Sequence, residues 1–249
     1  MTYCPRLSLI AVYYNVFYTF LTCWSAPIIA LYLLMVVFSR QLTKLFKPLQ
    51  LRIVLILHNS ICCLMSLWSL VGFIVGLWEV GTMYSMEHAG GILHRAMLVY
   101  WMSKFVELMD TVYMVLRHKH RQMSFLHVWH HSSITLLADY AYHYATWPAV
   151  IVVVALNSAV HVFMYGYYGL TAIYPLHAFT WKRRITQSQM AQFVFAICFA
   201  IHGYFNHGFC IYSILYGVVM LLLFGNFYYR TFILKPRAAK LLEEREKED

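Results

Sequence analysis

Residues 125–135 read FLHVWHHSSIT, and this stretch determines how the rest of the chain is interpreted. It holds three histidines, His127, His130 and His131. Positions i, i+3 and i+4 share one face of an α-helix, so the spacing predicts three imidazoles that point the same way. The residues around them are apolar, which indicates a helix in lipid. Ionisable groups at membrane depth are costly and usually mark a function.

The composition indicates an integral membrane protein. The chain has 249 residues, of which 61% are hydrophobic and 12% are charged, whereas soluble domains average about 25% charged residues. Several apolar runs reach the roughly 20 residues that a membrane helix needs, and none shows the ~10-residue alternation of a β-barrel. The net charge of +9 is spread in short clusters between these runs, which argues against a nucleic-acid partner.

The apolar runs predict one membrane domain over residues 1–249. We expect an interfacial or partly inserted segment at 1–22, a seven-span bundle at 23–234 and a charged cytosolic tail at 235–249. The six cysteines show neither metal-site nor disulfide-framework spacing and are interpreted as small buried hydrophobes. The seven spans are predicted at about 25–38, 51–77, 94–116, 125–142, 149–173, 187–204 and 209–234.

The positions of lysine and arginine predict the orientation of these spans. Sixteen of the 19 basic residues lie in the segments after spans 1, 3 and 5, in the C-terminal tail, or at the adjoining ends of spans 2 and 7. Cytosolic segments of membrane proteins carry an excess of Lys and Arg. The N-terminus is therefore expected in the lumen and the C-terminus in the cytosol.

In this topology, polar residues from four spans converge at the cytosolic level. Span 3 carries Asp110 and, at the pairing distance i, i+3, Lys104 and Glu107; a neutral ion pair that joins helices is the structural alternative for these two. The lumenal halves of the spans are mostly apolar, so the pattern predicts a chamber with a polar cytosolic entrance and an apolar interior. Spans 5 and 6 contribute Asn157, His161, Tyr165, Tyr168, Gln189 and Gln192.

The histidine cluster allows two chemical interpretations. HxxHH boxes hold iron in membrane desaturases and hydroxylases, but those enzymes combine several boxes, whereas this chain has 13 histidines and one HxxHH. Without a metal, clustered imidazoles serve as nucleophile, general base and oxyanion donor. An acyl-imidazole is reactive enough to pass on its acyl group, which favours acyl transfer with His130 or a neighbour as carrier. A di-iron desaturase or hydroxylase is one alternative, and a seven-helix receptor or lipid-binding protein is another.

Five motifs follow one another along the chain, KPLQLR, KFVELMDT, FLHVWHH, NSAVHVFMYGYY and TQSQMAQF. In these motifs and their order, the chain resembles the very-long-chain fatty acid elongase family, the condensing enzymes (3-ketoacyl-CoA synthases) of the endoplasmic reticulum. It implies an all-α integral membrane protein with seven transmembrane helices, in which spans 2–7 form a barrel around a closed-ended substrate tunnel. It also implies that a long-chain acyl-CoA condenses with malonyl-CoA, with loss of CO₂, to a 3-ketoacyl-CoA two carbons longer. No metal or redox cofactor is implied.

The resemblance also implies roles for individual residues. It makes His130 the acyl acceptor of a ping-pong scheme and His161 the facing group that supports the enolate or ketone oxygen, while His127 and His131 orient or tune them. Residues that bind substrate or support the catalytic groups would be Lys104, Glu107, Asp110, Asn157, Tyr165, Tyr168, Gln189 and Gln192. Basic residues at the entrance would attract the CoA phosphates, namely Arg117, Lys119, Arg121, Lys182, Arg183 and Arg184.

Substrate branch and cellular setting follow from the same resemblance. At Gln122, five residues before His127, the chain resembles the polyunsaturated-chain branch of the family. This resemblance favours a polyunsaturated acyl-CoA as substrate. Trp129 departs from the family, whose members usually carry Tyr or Phe there. The family implies the endoplasmic reticulum membrane and its lipid, and it allows a homodimer. It also implies partnership with the ketoacyl reductase, dehydratase and enoyl reductase of the elongation cycle.

Overall fold

The computed structural model describes residues 23–177 and 180–234, and these form seven α-helices without a β-strand. A 3₁₀ turn at His120–Gln122 precedes the fourth helix, and a π-helical segment at Tyr229–Leu234 continues the seventh. The segments 1–22 and 235–249, for which the sequence makes predictions, lie outside the described residues. In chain order the helices are α1 (Ala26–Leu42), α2 (Arg52–Val80), α3 (Gly91–Leu116), α4 (Phe125–Tyr144), α5 (Pro148–Ile173), α6 (Lys182–His207) and α7 (Ile211–Tyr228).

Three of the helices in the described ranges are long and apolar enough to cross a membrane, namely α2, α5 and α7 with its π-helical continuation. Helix α1 is apolar but has 17 residues. Helices α3, α4 and α6 carry the ionisable and amide residues singled out above, and these lower their mean hydropathy. The prediction of an all-helical, multi-pass membrane protein is confirmed, while the number of seven spans stays a prediction.

Helices α2 to α7 pack as neighbours in a closed order: α2, α3, α4, α7, α6, α5 and back to α2. Helix α1 contacts α3 and α4 from outside this order. An apolar core joins α2, α3, α4 and α5 at the ends predicted to be lumenal, and it includes Phe73, Leu93, Met97, Tyr100 and Ile151. The polar residues singled out above lie toward the other ends of these helices, which are predicted to be cytosolic.

Local sequence explains where two helices begin and why α2 and α3 pack closely. The Ser124 hydroxyl accepts a hydrogen bond from the backbone N–H of His127 at 3.2 Å, so it caps the start of α4. Pro148 occupies the first turn of α5, where its missing N–H costs no helical hydrogen bond. Gly76 lets α2 approach α3, because a Cβ there would lie 2.5 Å from side-chain atoms of Leu93.

Two expectations from the sequence differ from the structure. The segment around Lys182 was expected in a loop, but it begins α6, since basic side chains can stay at the membrane surface while the backbone continues as helix.

The cysteine interpretation is wrong in part. Cys23 and Cys62 are buried as expected, but Cys198 is exposed and Cys210 is disulfide-bonded. An apolar residue of a membrane helix can face lipid instead of the protein interior, which explains Cys198.

Candidate active site

The histidines assigned to catalysis lie together between α4 and α5. The ring centroids of His127 and His131 are 4.4 Å apart, and those of His130 and His131 are 5.3 Å apart. His161 of α5 faces His130, with 6.3 Å between the ring centroids. His131 and His161 are buried, whereas His130 is half-buried. Four imidazoles from two helices therefore border one small volume.

Glu107 of α3 is the centre of a buried polar network. Its Oε1 accepts a hydrogen bond from Lys104 Nζ at 2.7 Å and lies 3.2 Å from Nδ1 of His161. Lys104 Nζ also lies 3.5 Å from Oδ1 of Asn157 and 4.5 Å from the ring centroid of Tyr100. The Tyr100 hydroxyl donates to the same Asn157 oxygen at 3.0 Å. The predicted pairing of Lys104 with Glu107 is confirmed.

The contact with Glu107 determines how His161 presents its other nitrogen. An ionised carboxylate only accepts hydrogen bonds, so Nδ1 of His161 carries the proton and donates it. Nε2 of His161 then keeps its lone pair. A carboxylate that orients an imidazole in this way prepares it to act as a base. The second carboxylate oxygen of Glu107, Oε2, is buried and has no hydrogen-bond partner among the described residues.

His130 differs from His127 and His131 because it combines a partly exposed side chain with a ring that makes no hydrogen bond to the described residues. No hydrogen bond within the described part of the chain involves its imidazole, and part of its side chain is accessible. In contrast, Nε2 of His127 lies 2.8 Å from Oγ1 of Thr111. His131 is 6% exposed, so little of it can reach a substrate. His130 is thus partly accessible and lies beside the ring of His161, which Glu107 orients.

Asp110 connects the site to α2 and α5. Its Oδ1 lies 2.9 Å from Nε2 of His58, and its Oδ2 accepts a hydrogen bond from the Tyr165 hydroxyl at 2.9 Å. The Tyr165 ring in turn contacts the His161 ring edge-on, with centroids 5.7 Å apart. Tyr168 contributes less than expected, because it is 42% exposed and touches the network through the Tyr165 ring, 6.1 Å away.

The two glutamines of α6 are not joined to the histidines by hydrogen bonds of the described residues. Gln189 Nε2 lies 3.4 Å from Sδ of Met164, and Oε1 of Gln192 is buried without a hydrogen-bond partner. Two phenylalanines lie on this side of His130: the Phe224 ring meets the His130 ring edge-on with centroids 6.2 Å apart, and Phe193 packs against Phe224. The α6 and α7 side of the site is therefore mainly aromatic and apolar.

The basic residues assigned to CoA lie at the predicted cytosolic ends of α3 and α6. Lys119, Arg121, Lys182 and Arg184 are exposed, and Arg117 is half-buried. Arg183 is engaged in part, because its Nε donates a hydrogen bond to the Tyr228 hydroxyl at 2.9 Å.

A second buried polar group lies at the opposite ends of the helices. The backbone N–H and hydroxyl of Ser25 both donate to Asp139 Oδ2 at 2.8 Å. His143 Nδ1 lies 2.9 Å from the Asp139 carbonyl oxygen and 3.0 Å from Oδ1. The carbonyl is the hydrogen-bond partner, since Oδ1 makes no hydrogen bond of acceptable geometry. This group ties the chain before α1 to α4.

Three residues of the site were not singled out from the sequence. Tyr100 and Thr111 lie at spacings of 4, 3 and 4 from Lys104 and Glu107 along α3, so one helical face carries all four. That periodic signal was present in the sequence. His58 had no comparable signal, because it is an isolated polar residue in apolar α2.

The arrangement supplies acid–base and nucleophilic groups. Within residues 23–177 and 180–234, no group of three or more His, Cys, Asp or Glu side chains is placed to share a metal ion.

Comparison with known proteins identifies the family of the chain. The profile of the ELO family, described as the GNS1/SUR4 family, matches residues 18–240. The chain belongs to the ELO family. The prediction from the five motifs is therefore confirmed, since the relatives described below are very long chain fatty acid elongases.

Three relatives show how far the likeness to ELO-family proteins extends. Very long chain fatty acid elongase 2 of Mus musculus is 34% identical over 86% of this chain and 77% of its own length. Elongase 5 of Tachysurus fulvidraco is 31% identical over 84% of this chain and 76% of its own. Elongase 7 of Rattus norvegicus is 33% identical over 79% of this chain and 76% of its own.

Proposed function

We propose that this ELO-family protein is a 3-oxoacyl-CoA synthase that joins a long-chain acyl-CoA to malonyl-CoA. The observation that carries the proposal is the placement of His130, a half-buried imidazole without an internal hydrogen bond, 6.3 Å from the oriented ring of His161. Behind His161 stands the Glu107–Lys104 pair. These groups suffice for acyl transfer through an acyl-imidazole.

In the first half-reaction, a ring nitrogen of His130 attacks the thioester carbonyl carbon. The N–C bond forms, the C–S bond breaks, and the CoA thiolate leaves. His161 Nε2 accepts the proton that His130 loses, directly or through one water, and delivers it to the thiolate. Glu107 stabilises the transient imidazolium of His161, because its carboxylate oxygen lies 3.2 Å from Nδ1.

In the second half-reaction, malonyl-CoA loses CO₂ and becomes the enolate of acetyl-CoA. The enolate carbon attacks the acyl carbonyl carbon, the new C–C bond forms, and the C–N bond to His130 breaks. A proton from solvent restores the His130 imidazole, so the full cycle consumes one proton. His161 takes up this solvent proton at Nε2, donates a hydrogen bond to the developing oxyanion, and then passes the proton to His130.

The proposed location of the substrate follows the distribution of polar and basic residues. The acyl chain would lie in a closed-ended tunnel within α2–α7, and the CoA phosphates would lie near Lys182–Arg184 and Arg117–Arg121 at the cytosolic entrance. Cys210, which lies in the turn between α6 and α7, is disulfide-bonded. Because disulfides form in oxidising compartments, this supports a lumenal position for the turn. We place the protein in the endoplasmic reticulum membrane with a lumenal N-terminus.

The proposed substrate is a polyunsaturated acyl-CoA, supported by the position of Gln122 before the histidines. The product is a 3-ketoacyl-CoA, so a ketoacyl reductase must consume it, followed by a dehydratase and an enoyl reductase. A homodimer is compatible with this assignment.

The decisive experiment uses the purified protein in lipid with labelled malonyl-CoA and a panel of saturated and polyunsaturated acyl-CoAs. We expect labelled 3-ketoacyl-CoA two carbons longer than the substrate, with the highest rate for a polyunsaturated chain. Absence of elongated product across the panel would refute the condensing function. Binding of acyl-CoA without turnover would instead indicate a lipid-binding protein.

A second measurement addresses the acyl intermediate. Incubation with acyl-CoA alone should increase the intact mass of the protein by one acyl group, and the His130→Ala variant should show no increase. A His130→Ala protein that forms product at the wild-type rate would show that this imidazole is not the acyl carrier.

A further inference from the structure

Helix α1, outside the closed order of α2–α7, is connected to the histidine cluster by a short chain of hydrogen bonds. The Tyr32 hydroxyl lies 3.0 Å from Oγ1 of Thr111, and the same oxygen lies 2.8 Å from Nε2 of His127. Tyr32 is 5% exposed and Thr111 is fully buried. The Tyr32 ring is held by an apolar cluster with Ile29 and Leu108. A buried hydroxyl of α1 is therefore connected through Thr111 to an imidazole of the site.

The direction of these hydrogen bonds can be worked out from the number of hydrogens. Each of the two hydroxyls has one hydrogen, and buried donors in proteins are nearly always paired. Oγ1 of Thr111 is the acceptor within reach of the Tyr32 hydroxyl among the described residues. Tyr32 then donates to Thr111, and the hydrogen of Thr111 goes to Nε2 of His127. The reverse direction would leave the Tyr32 hydrogen buried without an acceptor.

We infer that Tyr32 is a positioning residue that acts through Thr111 to hold His127 in the tautomer with the proton on Nδ1. The inference rests on the proposed function. With its Nε2 lone pair occupied, His127 neither takes up the acyl group nor competes for the proton that His130 releases. Its fixed ring packs against His131, 4.4 Å away, and His131 against His130, 5.3 Å away. Helix α1 thus contributes to the order of the site without touching the substrate.

The kinetic test is the Tyr32→Phe variant, which removes the hydroxyl and keeps the ring. We expect kcat to fall about five- to tenfold, the factor of one buried hydrogen bond, with KM for acyl-CoA unchanged. Tyr140→Phe is the matched control, because the Tyr140 hydroxyl of α4 makes no hydrogen bond within the described ranges, and it should keep the wild-type kcat. Adding Tyr32→Phe to Thr111→Val should cause no further loss, whereas Thr111→Ser should retain activity.

Histidine ¹⁵N NMR on the protein without substrate supplies a readout that is independent of turnover. We expect one imidazole with a protonated Nδ1 and a hydrogen-bonded Nε2, whose signal disappears in His127→Gln and shifts in Tyr32→Phe but not in Tyr140→Phe. A protonated Nε2 at His127, or additive losses in the Thr111→Val background, would overturn the inference. If the wild-type protein made no elongated product, the proposed function would fail while this measurement still reported the tautomer.

Discussion

Replacement of Glu107 by glutamine separates the electrostatic role of this residue from its role in catalysis. The side chain keeps its shape and one oxygen, but the negative charge that faces Lys104 at 2.7 Å is lost. Both partners are at most 1% exposed. Removal of one partner of such a buried pair costs roughly 3–5 kcal/mol, because the other charge is left uncompensated. We therefore expect a clearly lower thermal unfolding midpoint for Glu107→Gln.

The same substitution should reduce kcat more than stability alone explains. Nδ1 of His161 loses its anionic acceptor at 3.2 Å, so the imidazolium formed in each half-reaction is no longer stabilised. General acid–base catalysis contributes about 10²- to 10⁴-fold, and we expect a loss of this order in elongation of acyl-CoA with labelled malonyl-CoA. Glu79→Gln, the same chemical change at an exposed position of α2, should leave both midpoint and rate unchanged.

The double variant Lys104→Met/Glu107→Gln provides the refuting result. The double variant leaves no uncompensated buried charge, so its unfolding midpoint should rise above that of Glu107→Gln. The rate should stay low, because His161 still lacks its carboxylate. If midpoint and rate recovered together, Glu107 would serve only to neutralise Lys104, and our reasoning about His161 would be wrong.

Three further predictions concern packing, the CoA entrance and the lumenal polar group. Gly76→Ala should destabilise the protein by about 1–3 kcal/mol, since its Cβ would collide with Leu93, whereas Gly225→Ala meets nothing within 4 Å and should be neutral in the same thermal unfolding assay. Neutralisation of Lys182–Arg184 to glutamine should raise KM for acyl-CoA about two- to fivefold per charge and weaken its salt dependence, with kcat unchanged. Asp139→Ala should lower the unfolding midpoint, because the buried donors of Ser25 lose their acceptor at a cost of about 1–3 kcal/mol in stability. The folded fraction should keep its wild-type kcat.

The sequence predicted the helices and the histidine cluster well because both depend on periodicity. The spacing of His127, His130 and His131 puts all three on one face of a helix. In the structure, the ring centroid of His131 lies 4.4 Å from that of His127 and 5.3 Å from that of His130. The predicted direction of the spans gave the depth of His161, and the resemblance to the elongase family implied that it faces His130. The level at which residues of different spans meet thus followed from charge distribution and length.

The partners of individual atoms could not be predicted in the same way. Asp110 is three residues from Glu107, yet it pairs with His58 and Tyr165, because a small rotation of α3 selects which helix each carboxylate faces. The helix ends of α6 were also missed, since the boundary of a helix need not coincide with the boundary of the lipid. Such details depend on how seven helices pack around one another, which no single-helix pattern contains.

The order of apolar and polar helices along the chain affects how the chain enters a membrane. Helices α3, α4 and α6, which are less apolar than the others, are each next in sequence to an apolar one: α2 before α3, α5 after α4 and α7 after α6. The turns inside the second and third of these pairs have three residues each. We therefore expect biogenesis in helical hairpins, in which each apolar helix carries its polar neighbour into the bilayer. Lys104 and Glu107 then enter together on α3 as a neutral pair before their partners on α5 arrive.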